Sequence, residues 1–307
     1  MSSTSNIDIM PIENKKPNKT KKKINTMKLV PYIFIGPAVI YLAIVTIIPA
    51  IMALPISFTD WSALTPTKHF IGVENYIRLF SDEQFMQSII VMAKFFISVP
   101  IIMGVGLLIA LLLNNKIKGM TAFRVIYYSP VITSTIAAAI LFDWFYQPTF
   151  GLFNSILNSI GLSGIGWISD ANTAVLSVII FRVWKGAGAA MLIYLAGLQD
   201  VPEALLEAAD IDGASWWQKF RYITFPMLRP ANVYLLIAQI ISVFMIFQET
   251  YMLQGPLKST YTVVNYIYDK GFQSSEMGYA SAMSFVLFIV IFIITLIQHK
   301  YLKVDEG

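Results

Sequence analysis

The chain has 307 residues, 56% of them hydrophobic and only 13% charged, with a mean hydropathy of +0.65 and a net charge of +4. A soluble domain carries roughly 25% charged residues, so polar surface is too scarce to clothe a water-facing globule, and a bilayer is the expected surroundings. The absence of cysteine excludes disulfides, thiolate metal sites and cysteine nucleophiles, and the two histidines, His69 and His299, stand at no ligand spacing, so no metal or other cofactor is expected of the chain itself.

Residues 1–27 are polar and lysine-rich, and are expected to form a disordered cytoplasmic tail ahead of a membrane domain covering 28–303. The first apolar run begins only at Leu29 and is too long for a signal-peptide core, so it is expected to remain as an anchor. Six runs are long enough for a hydrocarbon core of about 30 Å, which takes roughly 20 helical residues. They are 30–54, 88–113, 123–146, 173–198, 231–253 and 279–297. Only helices satisfy every backbone group of such runs in lipid, so an all-α membrane protein with six spans is predicted. Pro31, Pro37 and Pro49 predict a kink or break in the first span. Gly104 and Gly106, and the run from Gly186 through Ala187 and Gly188 to Ala189, are expected at helix–helix contacts.

Lysine and arginine placement sets the orientation. Lys15, Lys16, Lys19, Lys21, Lys22, Lys23 and Lys28, then Lys116, Lys118 and Arg124, then Lys219, Arg221 and Arg229, and finally Lys300 and Lys303 fall on one side. Only Lys68, Arg78, Lys258 and Lys270 fall on the other. Both termini and the connector 199–230 are therefore expected in the cytoplasm. The basic balance is a topology signal, which argues against nucleic acid as a partner.

That connector is a polar segment of about 30 residues between two apolar spans, where a few residues would suffice. Asp200 with Glu203 reads as a capping pair, with Pro202 in the first turn, so a helix is expected from near Val201 to Ile211. Gly213 supplies the stop. Ser215 with Gln218 is a second capping box, opening a short helix expected to end before Pro226. Ala204, Ala208 and Ala209 would let another surface approach the first helix closely, with Glu207 as a charged point among them. The alternative is a helix lying on the inner membrane face. It predicts a basic polar face, whereas Glu203, Glu207, Asp210 and Asp212 are acidic and residues 201–212 hold no Lys or Arg. Docking to a soluble partner is the favoured reading.

The connector resembles the "EAA" loop of the permease subunits of ATP-binding-cassette (ABC) importers. The matching residues are Glu207, Ala208, Ala209, Gly213 and Pro226, with Leu195-Ala196-Gly197-Leu198-Gln199, Pro202, Ile211-Asp212-Gly213-Ala214 and Phe220 around them. Phe70-Ile71-Gly72-Val73-Glu74-Asn75-Tyr76 with Leu79-Phe80, Gln147-Pro148 with Gly151-Leu152 and Asn154, and Leu253, Gly255-Pro256, Thr260 and Thr262 resemble the external segments of the carbohydrate-uptake (maltose and glycerol-phosphate type) branch. Where that branch carries two or three glycines before the proline, this chain has Gln254-Gly255. The resemblance implies the type I importer fold of six transmembrane helices, paired with a second permease subunit. It also implies a cytoplasmic ABC ATPase dimer that holds ATP and magnesium, and an extracytoplasmic solute-binding protein. Carried over to this chain, the coupling helix is 201–211. Its ATPase-facing residues are Glu203, Ala204, Glu207, Ala208, Ala209, Asp212 and Gly213, with Glu207 pairing to a basic residue of the ATPase.

No Gly-x-x-x-x-Gly-Lys-Ser/Thr loop is present, so the chain is not expected to hydrolyse ATP or to be an enzyme. The expected function is a permease subunit for a sugar or oligosaccharide, with an acidic sugar or a glycerol phosphate ester as the alternative. Lys94, Arg182 and Lys185 lie within spans, and either line the substrate pathway or snorkel and pair with Asp143 or Glu249. Gln248 is the first candidate for a polar contact with substrate, and Trp184 and Phe244 are candidates for stacking, beside Trp144, Phe142, Phe247 and Tyr251. A secondary transporter would need intramembrane carboxylate relays, and only Asp143 and Glu249 are available, near one interface. An intramembrane enzyme would need a nucleophile–base or metal constellation that this composition does not offer.

Overall fold

The computed structural model describes residues 26–65, 67–114 and 119–302. The expected tail up to residue 25, and the topology lysines Lys116, Lys118 and Lys303, lie outside the described residues. Apart from an isolated bridge between Thr59 and Phe70, the described residues form helices and the turns between them. They divide into two units, one ending at Ile51 and one beginning at Met52.

The first unit is the N-terminal helix, part of the candidate span Pro31–Ile56 (α1). Pro31 and Pro37 are accommodated inside it, and the expected disturbance takes the form of a π-helical stretch at Ala43–Ile47. Pro49 has no N–H for the carbonyl of Val45, and its ring crowds that carbonyl. The ladder widens instead, with the Ile48 N–H bonded to the Ala43 carbonyl.

In the second unit a short helix, α2 (Glu74–Ser81), leads into the span α3 (Glu83–Leu113). Next come α4 (Met120–Ile132), α5 (Thr135–Phe145), α6 (Leu152–Ser159) and the long span α7 (Ala171–Gln199). The connector carries α8 (Glu203–Ile211) and α9 (Trp216–Lys219). After it come α10 (Arg229–Phe244), α11 (Gln248–Met252), α12 (Val263–Tyr268) and the last span, α13 (Met277–Tyr301).

The expected third span, 123–146, is not one continuous helix. It is α4 and α5, bent by 97° across Thr133 and Ser134. Thr133 is extended (ψ 141°), and Ser134 (φ −54°, ψ 129°) is likewise non-helical. The fifth span is likewise interrupted, at residues 245–247 between α10 and α11. Five helices by length and apolarity, or six with the bent pair counted as one, are able to cross a membrane among the described residues.

The core sits around α7, which packs along α3. One buried cluster gathers Phe95, Phe142, Tyr146, Phe181 and Val243, and another gathers Ile102, Met191, Tyr194, Leu195, Leu228 and Leu235. Close approach depends on missing side chains. A Cβ on Gly106 would lie 2.5 Å from that of Ala190, and one on Gly188 would lie 2.3 Å from the Tyr127 carbonyl oxygen. These two, with Gly186 against Ile102, are the expected helix–helix contacts. Gly104 is not one, since nothing lies within 4 Å of where its Cβ would stand.

Polar residues fix the loops at the opposite end from the connector. Buried Asn154 donates to the carbonyls of Pro148 and Ile165 at 3.0 Å, and accepts from the Ile165 N–H at 3.0 Å and the Trp167 Nε1–H at 2.7 Å. Asn75 donates to the carbonyls of Ser57 and Thr59 at 2.9 Å. Asp82 caps α3 through Oδ1, which accepts from the N–H groups of Gln84 and Phe85. Its Oδ2 accepts from the hydroxyls of Tyr266 at 2.6 Å and Tyr279 at 2.7 Å. Beside it, Glu276 pairs with Arg78 at 2.6 Å and Lys270 at 2.8 Å. Burial pushes the Asp82 carboxyl up, but the hydrogen bonds from Tyr266, Tyr279 and the two backbone N–H groups outweigh it and hold the group below its ordinary range. Glu276 is held low in the same way by Lys270 and Arg78, against the opposing effect of burial.

Candidate functional site: the connector and the broken spans

The connector differs from its sequence expectation in two details. Asp200 does not cap α8. It terminates α7, and α8 starts one turn later behind Pro202, whose φ of −61° and ψ of 124° turn the chain without a side-chain cap. The helix after Ser215 does not end before Pro226. It continues to Met227 through a π-helical stretch at Phe220–Thr224, where the Phe225 N–H bonds to the Phe220 carbonyl. This is the arrangement that accommodates Pro49. The other expectations match the geometry: Gly213 has φ +73°, with the Ala214 N–H bonded to the Ala209 carbonyl at 2.9 Å, and the Ser215–Gln218 capping box is complete.

Glu203, Ala204, Glu207, Ala208, Asp212 and Gly213 are exposed, and Ala209 is half-buried. Glu207 makes no ion pair among the described residues. Sequence reasoning missed the apolar part of this surface: Ile211 is 88% exposed, and Trp216 and Trp217 are 62% and 61% exposed. The signal was the Trp-Trp pair just after a helix stop in a polar segment. Trp216 stacks on Phe220 with ring planes 3° apart, and Lys219 pairs with Asp210 at 2.5 Å, so α9 is tied to α8. Large apolar side chains are thus exposed beside an acidic helix.

In the membrane, Arg182 is 5% exposed. Its guanidinium donates from Nε to Ser98 Oγ at 3.4 Å, from Nη1 to Glu249 Oε1 at 3.4 Å and from Nη2 to Ser242 Oγ at 3.2 Å. Lys185, one turn on, donates to the carbonyls of Pro130 at 3.1 Å and Thr133 at 2.7 Å. Of the two partners expected for these cations, Glu249 is engaged and Asp143 is not. Lys94 is exposed and makes no hydrogen bond or ion pair among the described residues. Phe244 is buried, packed edge-on against Phe96, while Gln248 is exposed at the start of α11 and Trp184 is 39% exposed beside Phe142. The partners Ser98 and Ser242 were not singled out from sequence, because a lone serine in an apolar span is unremarkable.

Residues 78–303 match the family model described as "Binding-protein-dependent transport system inner membrane component". The chain belongs to this family. It is therefore a multi-pass inner membrane protein, an ABC permease subunit without an ATPase domain of its own. Among relatives, it is 34% identical over 290 residues to the probable ABC transporter permease protein YurN of Bacillus subtilis (strain 168), covering 92% of this chain and 99% of that one. It is 31% identical over 296 residues to the arabinooligosaccharides transport system permease protein AraP of Halalkalibacterium halodurans, covering 95% and 93%. Among solved structures, it superposes with a TM-score of 0.82 and 25% identity on a chain of a bacterial ABC transporter involved in the import of the acidic polysaccharide alginate, covering 92% of this chain and 98% of that one. The five or six candidate spans agree with this likeness.

Proposed function

We propose that this permease forms part of the path by which a sugar or oligosaccharide enters the cell, driven by ATP hydrolysis on partner subunits. In this reading the solute arrives on an extracytoplasmic binding protein. The path is completed by a second permease subunit, and an ABC ATPase dimer receives α8 in the cytoplasm, where both termini also lie. The observation that carries the reading is α8 itself: a short helix with an acidic and alanine-rich surface, its Glu207 exposed and without an ion pair among the described residues, flanked by exposed Ile211, Trp216 and Trp217. The names of the relatives, an arabinooligosaccharide system and an alginate importer, support the saccharide class.

Gln248 and Trp184 are the groups we assign to the solute. Both are exposed, and both lie near the interrupted spans, where non-helical backbone inside a membrane is tolerated if it lines a cavity. An acidic sugar is the second reading, favoured by the alginate importer's likeness to this chain.

The test is purification of the chain from its own cell, with identification of the subunits that accompany it and of the solute held by the binding protein. Glu207→Ala is expected to leave the chain inserted but to uncouple uptake from ATP hydrolysis or to release the ATPase. Normal ATP-driven uptake by a fully assembled Glu207→Ala transporter would refute the assignment of α8.

A further inference from the structure

We propose that Arg182 and Lys185 are positioning residues that hold the two interrupted spans in shape, and that they do not bind the solute. Both project from α7 and are three residues apart, hence on one face. Each lies against the C-terminal end of the first half of a broken span. Lys185 supplies hydrogen bonds to the carbonyls of Pro130 and Thr133, where α4 stops and the chain bends by 97°. A helix end leaves its last carbonyls short of internal partners, that of Pro130 keeping only the Thr133 N–H at 3.3 Å, and in lipid no water makes up the rest. A lysine from a neighbouring helix is the donor of choice there, because its charge also suits the negative end of the helix dipole.

Arg182 acts on the other break. It bonds Ser242, in the last turn of α10, and Glu249, in the first turn of α11, so one guanidinium spans the interruption at 245–247. Its third bond, to Ser98, anchors the group to α3. The two segments beyond the breaks, α5 and α11, pack against each other. One face of α7 thus fixes both hinges of a paired outer unit. The cations are occupied by protein groups in this arrangement, which leaves neither as a free counter-ion for a solute. The inference presupposes that the chain transports, as its family does, but is indifferent to which solute moves.

The assembled transporter in lipid nanodiscs and proteoliposomes tests it. The chain itself has no cysteine, so with the other subunits made cysteine-free Ile140→Cys in α5 and Tyr251→Cys in α11 give one pair of spin-label sites per chain, on exposed positions. Lys185→Met keeps the stem and removes the donor. It is expected to lower kcat for uptake by roughly tenfold or more with KM little changed, to broaden the distance distribution between the labels, and to be largely rescued by Lys185→Arg. A KM raised roughly tenfold at intact kcat would show contact with the solute and overturn the proposal, as would unchanged kinetics with an unchanged distance distribution. If Lys185→Met does not assemble, Glu249→Leu, which removes the acceptor of Arg182, decides: a broadened distribution supports the proposal, and one identical to that of the native pair overturns it.

Discussion

Arg182 of α7 meets Glu249 of α11 at 3.4 Å, with the arginine side chain 4% exposed and the glutamate 20%. Removing one member of such a pair leaves a charge with little water, whereas removing both leaves two neutral groups. Arg182→Gln is therefore expected to destabilise the permease by about 3 kcal/mol, and the double substitution with Glu249→Gln by clearly less. Thermal unfolding of the four proteins of the cycle in one detergent measures the difference. Equal losses in the single and double variants would show that the two charges do not interact.

The cluster at Asp82 and Glu276, at the end of the fold away from the connector, predicts a pH dependence with a definite sign. Both carboxyls are held below their ordinary values in the folded chain. Their contribution is therefore complete above the usual carboxylate range, about 4 to 4.5, and disappears as pH falls through the lowered values. The unfolding midpoint should be insensitive to these groups from neutral pH down to the carboxylate range and decline below it. Tyr266→Phe removes one hydroxyl from Asp82, so it should cost about 1 kcal/mol at neutral pH and make the acid decline smaller, with its onset unchanged and its completion at a higher pH.

Trp216 and Trp217 are 62% and 61% exposed in the isolated chain, so truncating them should cost its stability little. If this surface is covered by the ATPase, each change to alanine is expected to weaken that association by about 2 kcal/mol, the usual scale for a tryptophan at the centre of an interface. Titration of the purified ATPase onto permease in nanodiscs reads the affinity. Loss of thermal stability without loss of affinity would assign the two rings to folding.

Gly106 and Gly188 mark the tightest helix contacts. A methyl group at Gly106 meets the Ala190 side chain, which has little room to retreat, and one at Gly188 meets the backbone of α4. Alanine at either position should lower stability by about 1–3 kcal/mol. Gly104→Ala, with open space beside it, should be near neutral and serves as the control in the same unfolding assay.

Much of the site was legible in the sequence because its signals are local. The stop at Gly213 follows from a φ that only glycine adopts freely, and the Ser215–Gln218 box from a spacing of three residues. The bend of the third span also left a trace, in Pro130 and the run Thr133-Ser134-Thr135, though hydropathy alone joins the two halves. The misplaced capping of α8 has a similar origin. Asp200 suits the end of one helix as well as the start of another, and the length of α7 determines which role it takes.

Membrane residence and the family were legible in the chain's own letters, since apolarity is summed along the sequence and the connector motif is contiguous. The break at 245–247 was not: Met245, Ile246 and Phe247 carry no glycine or proline. At this break the Ile246 carbonyl accepts from the Thr262 hydroxyl, 16 residues away, at 2.9 Å. In the same way, Lys185 finds its acceptors 52 and 55 residues upstream, and Arg182 reaches Glu249 67 residues downstream. A buried charge or an orphan carbonyl takes whichever partner the packed helices bring within about 3 Å, and only the tertiary fold decides which partner that is.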